Sequence, residues 1–320
     1  MVSKPVYGAA SDTGRLRDHN EDSYLVRPPV YAVADGMGGH AAGEVASRLA
    51  LESLEGAALA SDGGPKAISS ALREANRTVF EQSSGEGPSR GMGTTCVLLL
   101  ITDGQAHVGH VGDSRIYLLR GDSLTQLTRD HTVVADMVEK GLMTDEQASA
   151  DSSRGYLTRA LGGAAAVDPD VQTVPIEPGD RFLLCSDGLT TMVVDDQIQA
   201  ILQREANPQA AADALVSAAN EAGGEDNVTA VVVDPTHDEA AARTPGRKRA
   251  MGWVQAAIVV ALLTAGIIAL LLFNGPLATT PVPSSSPAVT MPVPSLSPSA
   301  TTPSADATAP PIPPRASPSP

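Results

Sequence analysis

TTCVLLLITDGQAHVGHVGDSRIYLLRGDSLTQL, residues 94–127, decides the fold class. Three apolar runs, 94–101, 105–113 and 115–119, are too short for helices and carry the residue types of buried strands. Asp103-Gly104 and Gly121-Asp122 stand between apolar runs and predict tight turns, so the stretch reads as a β-meander. Strands joined by short turns pair antiparallel, since parallel neighbours need a long crossover.

Outward from this stretch, VYAVAD (30–35) and RFLLCSD (181–187) read as further buried strands. Helical spacing covers 43–60, 65–82, 131–140, 195–204 and 208–222, the last bracketed by Asn207-Pro208 and Gly223-Gly224. Helices between blocks of strands predict flanking layers: an α/β layered domain, not a regular βαβ array. Aromatics are only 3% of the chain, so Ala, Val, Leu and Gly must build the core.

The formal net charge is -15, and almost all the acid lies before residue 240. A nucleic-acid partner is thereby disfavoured, because phosphate backbones need an excess of Lys and Arg. Cys96 and Cys185 both sit in apolar runs and read as small buried hydrophobes. A disulfide or a catalytic thiol is not indicated, and a reducing compartment fits.

WVQAAIVVALLTAGIIALLLF (253–273) has no charge and is long enough to cross a bilayer. RTPGRKR (243–249) precedes it, and Arg315 is the only basic residue after it. The positive-inside rule then places the N-terminal domain in the cytoplasm and the tail outside the cell membrane, with one pass between them. The expected organisation is a domain over 1–237, a basic linker over 238–252, a transmembrane helix over 253–273 and a tail over 274–320. That tail holds more than half of the chain's 25 prolines and is rich in Ser, Thr and Ala. Its composition predicts disorder.

The acids fall in a recurrent place. Asp35 ends one strand and precedes Gly-Met-Gly-Gly; Asp113 sits in VGDSR, Asp187 in SDGL, and Asp226 in EDNV before the strand 228–233. Any one Asp-Gly pair reads as a turn. Four carboxylates at the ends of apolar strands can converge on one mouth, where they would repel one another unless a cation neutralised them. Oxygen-ligated divalent ions, Mg²⁺ or Mn²⁺, suit that set. Glycines after Asp35 and Asp187 let backbone carbonyls approach an ion. RDHNED (17–22) supplies Arg17, Glu21 and Asp22; taken alone it is an ordinary charged loop, although an arginine fork suits a phosphate.

GRLRDHNEDS, VADGMGGHAAGE, GTT, HVGDSRIY, LTQLTRDHT, LTRALG, LLCSDGL and EDNVTAVVV follow in order through nearly all of residues 6–234. Together they resemble the PPM/PP2C metal-dependent protein serine/threonine phosphatases, of the bacterial membrane-anchored type. The resemblance implies an α+β fold, a four-layer α-β-β-α sandwich of two antiparallel sheets flanked by helices. It implies two Mn²⁺ or Mg²⁺ ions, with Asp35 bridging them, Asp187 and Asp226 completing one site and the Gly36 carbonyl serving the other. Glu21 and Asp22 would act through ordered water, Asp113 with Asp187 would hold a weaker third ion, and Arg17 would bind the substrate phosphate. Arg17, Asp35 and Asp187 would carry the catalysis, and 131–160 would be a mobile flap that influences substrate choice. Phosphorylated proteins, among them Ser/Thr kinases and their substrates, are the implied partners.

One departure stands out. Eukaryotic members often carry DGHGGH, whose first His is proposed as the acid for the leaving group; here Met37 occupies that place. His40 matches the second His, where a satisfied histidine at a helix start is the plainer reading and water on the metal can be the acid. Two other readings remain at this point: a metal phosphodiesterase or nuclease, disfavoured by the acidic balance, and a phosphoprotein-binding pseudophosphatase or tethered scaffold, disfavoured by the intact acids.

Overall fold

The computed structural model describes residues 5–38, 42–57, 59 and 63–235. The linker, the apolar stretch 253–273, the Pro-rich tail and His40 lie outside the described residues. Among the described residues no helix is long and apolar enough to cross a membrane.

Two antiparallel sheets hold the chain together. The first contains β1 (Val6–Asp12), β7 (Arg115–Arg120), β8 (Ser123–Gln126), β10 (Arg181–Cys185) and β11 (Val228–Asp234), in the order β1-β11-β10-β7-β8. The second runs β2-β3-β5-β6-β9, from β2 (Asp22–Arg27), β3 (Val30–Met37), β5 (Cys96–Thr102), β6 (Gln105–Val111) and β9 (Asp170–Pro175). The two-residue β4 (Gly93–Thr94) pairs with the end of β3. Helices α1 (Ala42–Gly56) and α2 (Pro65–Ser83) follow β3, α3 (Val133–Glu139) and α4 (Asp145–Ala150) follow β8, and α5 (Asp187–Thr190), α6 (Asp195–Arg204) and α7 (Pro208–Glu221) follow β10.

Strand residues sort by parity, as a period of two demands. Tyr31, Val33, Val97, Leu99, Phe182, Leu184, Val231 and Val233 meet between the sheets. Their neighbours Ala32, Ala34, Leu98 and Leu100 face α1 and α2, while Leu183, Cys185, Ala230 and Val232 face α6 and α7. Both faces of each sheet are therefore covered, and the strands are continuous apolar runs rather than alternating ones. This is the expected pair of antiparallel sheets flanked by helices. Cys96 and Cys185 are free and buried, also as expected.

Three local expectations are corrected. The stretch 94–127 is not one meander: β5 and β6 belong to one sheet and β7 and β8 to the other, so Gly112-Asp113-Ser114 is a crossing between sheets. Gly112 makes the corner at φ 108, and a Cβ there would lie 2.6 Å from the Thr95 side chain. Asp187 does not end a strand but opens α5. RDHNED is not wholly a loop, because Asp22 starts β2 and is buried.

Candidate metal centre

β2 and β3 pair so that Asp22 stands directly opposite Asp35. The Asp113 corner and the start of α5 bring Asp113 and Asp187 to the same end of the sandwich, where their charges act on Asp35. Burial, then the charges of Asp22, Asp187 and Asp113, raises Asp35 well above the usual carboxylate range. Burial and Asp187 push Asp113 up to about 8. Asp22 rises to about 7, mainly through burial and against hydrogen bonds from Ser186 and Thr229. Asp187 is raised by burial and then by Asp226. Buried like charges at one strand end are costly unless protonated or neutralised.

The backbone supports are specific. Thr94 Oγ1 donates to the Asp35 carbonyl at 2.8 Å, and Asp35 N donates to Thr95 Oγ1 at 3.0 Å. Thr95 Oγ1 also meets Ser114 Oγ at 2.7 Å, which ties β3 to the Asp113 corner. Ser186 Oγ donates to Asp22 at 2.7 Å and accepts from Thr229 N at 3.0 Å. Asn227 accepts from Glu21 N and donates to the Thr13 and His19 carbonyls, so it shapes the segment that carries Arg17 and Glu21. Thr94, Thr95, Ser114, Ser186 and Asn227 are site residues that sequence reasoning left out. The signal available was their place inside the motifs GTT, VGDSR, CSDG and EDNV.

Arg17 lies at the mouth, half exposed, and holds Asp226 at 2.7 Å. Glu21 is raised mainly by burial, offset by the charge of Arg17. Asp35 and Asp187 approach closely enough to share a hydrogen bond, but among the described residues the trio that brings its ligand atoms within 4.8 Å of one another is His110, His131 and Asp170 rather than three of the carboxylates. Asp22 and Asp226 are turned to Ser186 and Arg17, which accounts for part of the spread.

The donor set nonetheless fits a hard divalent cation. It consists of oxygens, and buried Asp22 Oδ1 has no hydrogen-bond partner. The adjacent glycines leave no room for a side chain: a Cβ on Gly36 would lie 2.1 Å from the Gly43 carbonyl oxygen, and one on Gly188 2.0 Å from that of Asn227. A cleft of about 1220 Å³ opens from this centre, lined by Arg17, Asp113, Asp187 and Asp226 and walled by residues of α3, α4 and α6. It is wide enough for a phosphorylated side chain on a polypeptide.

Known proteins resemble this chain over the same residues. The family described as protein phosphatase 2C matches residues 11–228. The serine/threonine phosphatase stp of Listeria monocytogenes is 38% identical over 235 residues, 70% of this chain and 93% of that protein. The serine/threonine protein phosphatase PstP of Mycobacterium tuberculosis is 42% identical over 232 residues, 71% of this chain but 44% of that longer protein. Its crystal structure superposes with a TM-score of 0.69 at 41% identity, covering 73% of this chain and 99% of that one. A second structure, of the PstP catalytic domain in complex with two manganese ions, has a TM-score of 0.66 at 40% identity and covers 72% and 97%. On the match through residues 11–228 and the carboxylate centre it spans, the chain belongs to the protein phosphatase 2C family and is a metal-dependent protein serine/threonine phosphatase.

Proposed function

We propose that residues 1–237 are the cytoplasmic phosphatase domain of a single-pass membrane protein that reverses the action of Ser/Thr protein kinases. The domain uses two Mn²⁺ or Mg²⁺ ions. Asp35, Asp187, Asp226 and the Gly36 carbonyl would hold them. Glu21 and Asp22 would support the ions through surrounding water, and Asp113 with Asp187 would hold a weaker third ion. The observation that carries the reading is the convergence of Asp22, Asp35, Asp113 and Asp187, from separate elements, into one buried group beside Arg17.

Bound divalent ions supply the charge that makes water a nucleophile at neutral pH and neutralises phosphoryl oxygens. The chain's own residues do the rest. Arg17 exchanges its bond to Asp226 for two phosphate oxygens and aligns the phosphorus for in-line attack. Thr94, Thr95 and Ser186 keep Asp35 and Asp22 from moving as charge develops. Met37 has no proton to give, so that position supplies no acid to the leaving Ser or Thr oxygen. The α3–α4 segment walls the cleft and meets the peptide around the phosphorylated residue.

The linker 238–252, the helix 253–273 and the extracytoplasmic tail 274–320 anchor this domain, on the charge asymmetry of their sequence. The test uses the full chain, stripped of metal, with a phosphothreonine peptide. Phosphate release should require Mn²⁺ and vanish in Asp187→Asn. A folded protein that releases none at any Mn²⁺ concentration would instead be a phosphoprotein-binding pseudophosphatase.

A further inference from the structure

His110, His131 and Asp170 have the spacing of a cation site, but counting protons directs them elsewhere. Gly112 N donates to Nδ1 of His131 at 3.1 Å, so Nδ1 carries no hydrogen. The hydrogen of the neutral ring is on Nε2, 3.2 Å from Asp170 Oδ2. A metal-ligating histidine donates from the nitrogen that faces away from the ion. Here that nitrogen already faces a donor, and a metal on Nε2 would leave the proton nowhere to go. Arg159 occupies the other Asp170 oxygen at 2.7 Å, and the buried His110 ring covers His131 with centroids 4.1 Å apart.

The same residue grips Gly112 twice, because His131 N also donates to the Gly112 carbonyl at 2.9 Å. Gly112 is the positive-φ corner next to Asp113 and is wedged against Thr95, so it has little freedom to absorb a displacement. On its other side His131 is the neck of the 131–160 segment: its carbonyl accepts from Thr158 N at 2.8 Å, and Thr132 bridges Leu157. The network runs Arg159, Asp170, His131, Gly112, then Asp113.

We propose that His131, locked as the Nε2–H tautomer, is a positioning residue that sets Asp113 through Gly112 and couples that carboxylate to the neck of the 131–160 segment. It acts without touching the substrate or the reacting atoms. This rests on the reading of Asp113 as a ligand of the weaker ion.

Two measurements on the full chain test it. With ¹⁵N-histidine labelling, only six histidines need assignment; the His131 ring should show the neutral Nε2–H pattern, and added Zn²⁺ should leave it unchanged. Mn²⁺ binding to metal-stripped protein is then followed by calorimetry. His131→Gln, which loses the acceptor for Gly112 N, should weaken the weakest class of Mn²⁺ site by about tenfold, the scale of an outer-shell partner. His131→Asn, which keeps an acceptor near the Nδ1 position, should weaken it clearly less. In an Asp113→Asn background His131→Gln should have no further effect. The proposal is overturned if Zn²⁺ replaces the Nε2 proton. It also fails if His131→Gln lowers only the melting temperature, or if its effect persists without the Asp113 carboxylate. Wild-type protein that binds no Mn²⁺ would sink the proposed function itself, whereas loss of only the Asp113 effect removes the coupling and leaves the phosphatase reading standing.

Discussion

Asp35 is the residue with most to lose from any change, since it stands opposite Asp22 and feels the charges of Asp22, Asp187 and Asp113. Asp35→Asn should keep the fold and lower kcat by about 10²–10³ or more, the scale of removing one preorganised electrostatic group, measured as Mn²⁺-dependent phosphate release. Gly188→Ala makes the complementary test of space. Its Cβ would sit 2.0 Å from the Asn227 carbonyl oxygen, and the backbone shift it forces should lower stability by about 1–3 kcal/mol in chemical denaturation. The carboxylates also predict a pH dependence. With Asp113 raised to about 8 and Asp22 to about 7, these groups bind more protons folded than unfolded. Their contribution to the cation-free protein is fully present below about pH 4, the unfolded value, and is lost as pH rises through 7 to 8. Thermal melts should therefore show metal-free protein gaining stability from pH 8 to pH 5 relative to Mn²⁺-saturated protein. Parallel curves with and without Mn²⁺ would contradict the centre.

Among the elements, α7 shows how much of a boundary is local chemistry. Asn207 caps it by accepting from Gln209 N and Ala210 N, and Pro208 occupies the first turn, where its missing N–H costs nothing. Asn207→Ala should lower stability by about 0.5–2 kcal/mol in a melt. That start was legible from Asn207-Pro208 alone. The next residue was not: the Gln209 amide accepts from Ala9 N and donates to the Ala9 carbonyl, which closes the outer edge of β1. The β6–β7 connection teaches the same distinction. VGDSR lies between two strands and reads as a hairpin turn, yet β7 leaves for the other sheet because its partners are β10 and β8, which lie far along the chain or after it. A short connection predicts nearness in space, and it does not choose between a turn within a sheet and a corner between two.

In the whole molecule, Arg181 fastens the sheet to its helices. Its guanidinium binds both Asp234 oxygens at 2.7 Å and the Leu202, Glu205 and Ala206 carbonyls. Arg181→Met would strand the Asp234 carboxylate and three carbonyls, and should cost about 3–5 kcal/mol of unfolding free energy. The membrane assignment is tested at this scale too: deleting 253–320 should move the protein from the membrane pellet to the soluble fraction without loss of Mn²⁺-dependent phosphatase activity. By itself the sequence determined the strands β3, β5, β6, β7, β10 and β11 and helices α1, α2, α6 and α7, because buried runs and helical spacing are local patterns. It also marked Asp35, Asp113, Asp187 and Asp226, through motifs that carry their own context. Only the tertiary structure decided that Asp22 faces Asp35, that Ser186, Thr95 and Asn227 hold the acids, and that His131 grips the Asp113 corner. Those relations join residues as far apart as 21 and 227. They depend on strand register and sheet closure, which burial of both sheet faces selects and no local stretch encodes.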